Sequence, residues 1–164
     1  MLPPRPPAPL WPDAWQLWFD GSASPNPGRI GLGAVLLGPA GERIEVSELA
    51  AAGGCNNTAE LLALQRAVDA AHQAGARRVV IRGDSDFAVR HLLGSARTAI
   101  PRLTALLEPL ACSLQGFDEV RIEWVPRHRN GDADRLSRAA LGLPDKPAQA
   151  PLSRSLPRRR RHRR

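Results

Sequence analysis

The chain has 164 residues, which suits one domain with a sizeable core and short extensions. No apolar run approaches the roughly 20 residues of a transmembrane helix. The two cysteines, Cys55 and Cys112, are too few for a disulfide framework, and the start "MLPPRPPAPLWP" lacks the apolar stretch of a secretory signal. We therefore expect a cytoplasmic protein that does not associate with membranes.

The formal net charge of +7 is concentrated at one end of the chain. Residues 154–164 contain seven arginines, whereas residues 1–153 contain 16 Lys and Arg against 16 Asp and Glu. We therefore predict a formally neutral folded body and a Pro- and Arg-rich tail over residues 144–164. Such a run stays disordered because its charges repel one another and it has few apolar groups. The tail either binds the phosphates of nucleic acid or only adds solubility.

The sequence predicts an α/β domain over residues 14–143, preceded by an extended segment, residues 1–13, with six prolines. Hydrophobic patterns and Gly or Pro breaks predict three strands, a helix, a strand, two helices, a strand and a helix. The strands are "WQLWFDGSA", the two runs that flank "GPAG", "RRVVIRGD" and "EVRIEWV". The helices are "NNTAELLALQRAVDAAHQAGA", "SDFAVRHLL", "AIPRLTALLEPLACSL" and "NGDADRLSRAALG". This order predicts a mixed sheet with helices packed on it.

Two predicted strands end in an aspartate. Asp20 follows the apolar run "LWF", and Asp84 follows "RVVIRG". A carboxylate at the end of a buried strand loses solvation unless it is paired, and this edge of an α/β sheet is where ligands bind. The alternatives are that Asp20 is a solvated turn residue before Gly21 and that Asp84 caps the next helix.

Glu60 lies on the apolar face of its helix, on the same side as Leu64 and Ala67. A carboxylate there costs several kcal/mol unless it is paired or bound to metal; the alternative is a favourable position in the first helical turn. One shared site explains all three acids more simply than three separate caps, and such a cluster needs a divalent metal at neutral pH. Asp132 and Asp134 lie about 200° apart on the last helix, so at most one of them faces the sheet.

The segments "FDGSASPNPG", "NNTAELLAL", "GDSDFAV" and "WVPRHRNGDADRLSRAA" resemble, in order and spacing, the four motif blocks of the type 1 ribonuclease H family. The resemblance covers roughly residues 15 to 142. It implies the ribonuclease H-like fold, an α/β fold with a five-stranded mixed sheet, the first three strands antiparallel, and helices on both faces. It also implies a metal-dependent endonuclease that cleaves the RNA strand of RNA/DNA hybrids and leaves 5′-phosphate and 3′-hydroxyl ends.

The resemblance also implies roles for the acids. Two Mg²⁺ ions about 3.5–4 Å apart, for which Mn²⁺ substitutes, would hold the scissile phosphate. Asp20 would bridge both ions, Glu60 and Asp84 would complete one metal site, and Asp134 would join the other. Asp132 would then face solvent.

His128 and three asparagines match further positions of the family. His128 would assist proton transfer or product release, although a loop histidine is commonly just solvated. Asn26, Asn56 and Asn57 would line the minor groove of the hybrid, where the 2′-hydroxyl distinguishes RNA from DNA. Their structural alternatives are a turn for Asn26 and helix capping for Asn56 or Asn57, and these can coexist with binding.

The chain departs from the family pattern in two places. Only "GSARTA" stands where prototype members carry a basic, Trp-rich insertion, and Cys55 stands where a hydroxyl residue often contacts the DNA backbone. Together with the neutral body, these departures predict weak intrinsic affinity for the hybrid and leave a role for the Arg-rich tail in binding nucleic acid. We also expect a monomer. Two rival hypotheses are a non-catalytic nucleic-acid-binding protein, which would have lost an acid, and a resolvase- or integrase-type nuclease, which would lack the "NNTAEL" and "WVPRH" segments.

Overall fold

The computed structural model of the chain describes residues 11–146. Most of the predicted extended segment (residues 1–10) lies outside the described residues. The same holds for residues 147–164 of the predicted basic tail. Within residues 11–146, no helix is both long enough and apolar enough to cross a membrane.

Five strands of the described region form one mixed sheet in the order β3-β2-β1-β4-β5. The first three strands are antiparallel, whereas β4 pairs in parallel with both β1 and β5. The predicted sheet and its antiparallel start are therefore confirmed. The strands are β1 (Trp15–Ser24), β2 (Arg29–Leu37), β3 (Arg43–Leu49), β4 (Arg78–Gly83) and β5 (Glu119–Trp124).

In the part of the chain that the structure describes, four helices accompany the sheet: α1 (Asn56–Gln73), α2 (Asp86–Leu92), α3 (Pro101–Gln115) and α4 (Gly131–Ala140). A short 3₁₀ turn over Arg127–Arg129, which the sequence did not predict, connects β5 to α4. The sequence predicts that Gly75 ends α1, and the helix does stop there: its last residue is Gln73, and Gly75 adopts a positive φ of 79° that reverses the chain.

α1 and α4 pack on opposite faces of the sheet. A Cβ added at Gly21 would overlap the Ala59 carbonyl oxygen of α1, and one added at Gly33 would overlap the Ala133 carbonyl oxygen of α4. Gly33 pairs with Asp20, so these two residues point to the same face of the sheet. Gly21 is the next residue of β1 after Asp20 and therefore points to the opposite face. The predicted helices on both faces are thus confirmed, and Asp20 faces the side of α4.

The core lies between the sheet and α1, with α3 packed behind α1. Leu17 and Phe19 of β1 are fully buried, as are Leu61, Leu64 and Val68 of α1. The apolar face predicted for α1 is therefore the one that the sheet buries, and it brings Glu60 to the edge of the sheet.

Candidate metal centre

Asp20 and Asp84 become neighbours where β1 and β4 separate. The parallel pairing of these strands ends at Phe19 and Gly83, and the next residue on each strand is an aspartate. β1 itself continues to Ser24 along β2, so Asp20 lies within the strand and is only 6% exposed. The alternative that Asp20 is a solvated turn residue is therefore wrong.

Glu60 reaches the two aspartates from α1. Its Oε2 accepts a hydrogen bond from the Gly21 backbone N–H at 3.2 Å. Each of Asp20, Glu60 and Asp84 offers a carboxylate oxygen, and these oxygens all lie within 4.8 Å of one another. The structure thus brings together three of the acids that the sequence singled out.

The capping alternatives do not account for these acids. Ser85 occupies the N-cap of α2, where its side chain accepts from the Ala88 N–H, so Asp84 is not the cap. The first turn of α1 contains no acidic residue, because the helix begins at Asn56 and Glu60 falls in its second turn.

Burial and mutual repulsion disfavour the charged forms of the cluster. The pKa of Asp20 is raised to about 7, first by desolvation and then by the charges of Asp84 and Asp134. The pKa of Glu60 is raised further, to about 10, by desolvation and by the charges of Asp20 and Asp84. Desolvation also raises the pKa of Asp84, although the positive charge of Arg127 opposes the shift. A nearby divalent cation would relieve this repulsion.

Of the two acids in α4, Asp134 faces the cluster. Its charge contributes to the raised pKa values of Asp20 and Asp84, although it lies outside the group of oxygens within 4.8 Å. The exposed Asp132 side chain is instead 3.4 Å from Arg43. This arrangement agrees with the predicted opposite orientations of the two acids.

Two residues that the sequence analysis missed support the cluster. The Ser137 hydroxyl donates to Asp20 Oδ2 at 3.1 Å. Asn130 is 2% exposed and its Nδ2 donates to the Phe19 carbonyl at 2.9 Å. Its polar side chain also favours the charged form of Asp84 and so opposes the rise of that carboxyl's pKa. A signal was available, since Asn130, Asp134 and Ser137 are spaced by four and three residues and share one face of a helix.

His128 lies in the 3₁₀ turn and is exposed. Its side chain lines a cavity of about 400 Å³ between this turn, the start of α4 and the sheet. A substrate that approaches from solvent can therefore reach the His128 side chain. Its role in proton transfer stays a prediction.

Asn26 and Asn56 connect the β1–β2 turn to the start of α1. Asn26 Oδ1 accepts from the Asn56 N–H at 3.2 Å, and Asn56 Oδ1 accepts from the Ala23 N–H at 3.1 Å. The N-cap position of α1 belongs to Cys55, so the capping role considered for Asn56 and Asn57 is wrong. All three asparagines are exposed. Their contact with a hybrid stays a prediction.

The donor set fits a hard divalent cation. Carboxylate oxygens are the ligands that Mg²⁺ and Mn²⁺ prefer. Among residues 11–146, no Lys or Arg forms an ion pair with Asp20, Glu60 or Asp84. Buried acids without a cationic side chain are costly unless they hold protons or a metal ion.

Known proteins share this arrangement of sequence and fold. A family model described as reverse transcriptase-like matches residues 18–140. The chain is 35% identical over 124 residues to ribonuclease HI of Halobacterium salinarum. The matched region covers 76% of this chain and 62% of the relative. The crystal structure of RNase H1 from that archaeon matches with a TM-score of 0.75 and 34% identity, over 79% of this chain and 98% of the other. The chain belongs to the reverse transcriptase-like, ribonuclease H family.

Two further members of the ribonuclease H family are similar. The N-terminal RNase H domain of Rv2228c from Mycobacterium tuberculosis matches with a TM-score of 0.73 and 30% identity, over 77% of this chain and 98% of the other. The structure of LC11-RNase H1 in complex with an RNA/DNA hybrid matches with a TM-score of 0.72 and 28% identity, over 78% and 96% of the two chains. The chain spans 62% of the Halobacterium protein and 34% of the full mycobacterial bifunctional protein.

Proposed function

We propose that the protein is a metal-dependent endonuclease that hydrolyses the RNA strand of RNA/DNA hybrids and leaves 5′-phosphate and 3′-hydroxyl ends. The observation that carries this proposal is the group of carboxylate oxygens of Asp20, Glu60 and Asp84 within 4.8 Å of one another. The chain's membership of the ribonuclease H family supports the choice of substrate, as does the hybrid bound to LC11-RNase H1.

Asp20, Glu60, Asp84 and Asp134 would hold two Mg²⁺ ions, for which Mn²⁺ substitutes. When bound, the ions supply Lewis-acid activation of a water molecule and neutralise charge on the phosphate. Neighbouring groups would orient the ligands through hydrogen bonds. The Gly21 N–H donates to one oxygen of Glu60, and the Ser137 hydroxyl donates to one oxygen of Asp20. Pre-oriented carboxylates lose little freedom when they bind.

Asn130 would keep the distance between strand and helix constant. Its side-chain Nδ2 donates to the Phe19 carbonyl of β1, and its backbone carbonyl accepts the Asp134 N–H at 3.1 Å. One buried residue therefore links the backbone next to Asp20 to the backbone of Asp134. His128 would transfer a proton through its imidazole, which is exposed to solvent.

The bridge between Asn26 and Asn56 would present amide groups, with Asn57 beside them, to the minor groove of the hybrid. Amide groups can both donate to and accept from a 2′-hydroxyl. We therefore assign the selection of the RNA strand to this surface, and we propose a monomer as the active form.

One cleavage assay tests the proposed function. An end-labelled RNA/DNA hybrid, an RNA duplex and a DNA duplex are each incubated with the full chain and Mg²⁺ or Mn²⁺. Internal cleavage of the RNA strand in the hybrid alone, abolished by EDTA, is the expected result. Absence of hybrid cleavage with either metal, or equal cleavage of the DNA duplex, would contradict the proposal.

A further inference from the structure

The chain reverses direction immediately after α4. Gly142 adopts a positive φ of 70°, the Leu143 N–H bonds the Arg138 carbonyl, and the Gly142 N–H bonds the Ala139 carbonyl, both at 3.0 Å. This pair of hydrogen bonds is the Schellman arrangement that ends a helix and turns the chain back over its last turns. The residues that follow are therefore directed along α4 toward its beginning.

A side chain of α4 fixes this returning segment. The Arg138 guanidinium donates to the Pro144 carbonyl from Nε at 3.1 Å and from Nη2 at 3.0 Å. Two donors on one acceptor hold the segment more firmly than a single bond would, because the guanidinium is planar and rigid. Two residues later, Lys146 Nζ lies 3.2 Å from Asp134 Oδ1.

Lys146 therefore places a positive charge on an acid of the candidate metal centre. The Asp134 side chain is 23% exposed and that of Lys146 is 54% exposed, so the ammonium approaches the carboxylate from the solvent side. A divalent cation that binds Asp134 must either displace this ammonium or share the carboxylate with it. Like charges at this distance repel.

We propose that Lys146 is a tethered cation that competes with the divalent metal for Asp134 and so raises the metal concentration that the centre requires. This inference rests on the proposed function, because it needs Asp134 to be a metal ligand. The ammonium is a mobile point charge on a flexible stem, so it can leave when metal arrives. Its removal should tighten metal binding about two- to fivefold, the range of one exposed ion pair.

Calorimetric titration of the full chain with Mn²⁺ or Mg²⁺, without nucleic acid, tests the inference. Lys146→Met removes the charge and keeps most of the apolar stem, whereas Lys146→Arg retains the charge. Arg135→Met is the matched control, because it removes one charge from α4 itself but from a side chain that lies 3.9 Å from Glu45. Circular dichroism establishes that each variant is folded.

We expect tighter metal binding for Lys146→Met and affinities close to wild type for Lys146→Arg and Arg135→Met. Equal affinity of Lys146→Met and wild type would overturn the inference and leave the metal centre intact. Equal tightening by Arg135→Met would overturn it as well, because net charge rather than the contact would then set the affinity. If the wild-type chain binds neither metal, the proposed metal centre falls, and the inference with it.

Discussion

Asp20 and Glu60 carry raised pKa values at the centre of the cluster, and this affects the stability of the metal-free protein. Each carboxyl holds a proton in the folded protein at pH values where the unfolded chain has already released it. The free energy of unfolding must therefore fall as pH rises above the ordinary pKa of a carboxyl group. The fall continues to the pKa of about 7 for Asp20 and to the higher pKa, about 10, for Glu60.

We predict that Glu60→Gln flattens this pH dependence, because glutamine has no proton to lose. The slope removed is up to about 1.4 kcal/mol per pH unit for one proton. Urea unfolding in EDTA between about pH 5 and 8 measures it. The control is Glu48→Gln, which removes an acid whose pKa is lowered by its hydrogen bond to Arg66. Parallel curves for wild type and Glu60→Gln would refute the prediction.

The two acids of α4 should differ sharply in their effect on activity. Asp134→Asn should lower the rate of hybrid cleavage by orders of magnitude, because Asp134 faces the cluster. Asp132→Asn should change it by no more than about fivefold, since Asp132 only forms an exposed ion pair with Arg43. Rates at saturating substrate and metal provide the comparison. The opposite ranking would move the proposed fourth ligand to Asp132.

At the level of elements, glycines in β2 determine how closely α4 approaches the sheet. A Cβ at Gly33 would overlap the backbone of Ala133 and lie 2.5 Å from the Ser137 nitrogen. Backbone atoms cannot move aside as a flexible side chain can, so α4 itself must shift. That shift would carry Asp134 and Ser137 away from Asp20.

We predict that Gly33→Ala destabilises the protein by roughly 1–3 kcal/mol and reduces activity more than stability alone explains. Gly131→Ala is the matched control, because its added Cβ would meet open space within the described residues and alanine favours a helix. Thermal unfolding and cleavage rates at a temperature where both variants are folded measure the effect. Unchanged stability and activity in Gly33→Ala would show that α4 does not need this close approach.

The sequence indicates elements well where the pattern is local. The apolar run before Asp20 predicted β1, and the apolar face of α1 predicted the side on which Glu60 lies. The contacts of Asn130 with Phe19 and of Ser137 with Asp20 join residues 111 and 117 positions apart, and no local pattern encodes them. The turn that returns Lys146 to Asp134 depends on the geometry of a helix end, which hydrophobic periodicity does not report.

On the scale of the whole molecule, charge is divided between a neutral body and a basic end. Residues 1–153 balance 16 basic against 16 acidic side chains, and residues 154–164 supply seven arginines. A body without net positive charge attracts phosphates weakly, so the arginines are the main source of attraction for a polyanion.

We predict that truncation after Lys146, which leaves the contact with Asp134 in place, raises KM for the hybrid and flattens its salt dependence, with kcat little changed. Each phosphate contact adds a slope of about 0.7–0.9 in log K against log salt. KM measured over a range of salt concentrations compares the two chains. Superimposable curves would mean that the arginines do not bind substrate.

Cleavage of an RNA/DNA hybrid by wild type and Asp20→Asn tests the central claim, that the cluster is a metal centre for RNA hydrolysis. In Mg²⁺ the wild-type chain should cut the RNA strand and leave 5′-phosphates. Asp20→Asn should lose this activity while its metal-free melting temperature stays the same or rises, because a source of repulsion is removed. Cleavage by Asp20→Asn within about tenfold of wild type would contradict the account.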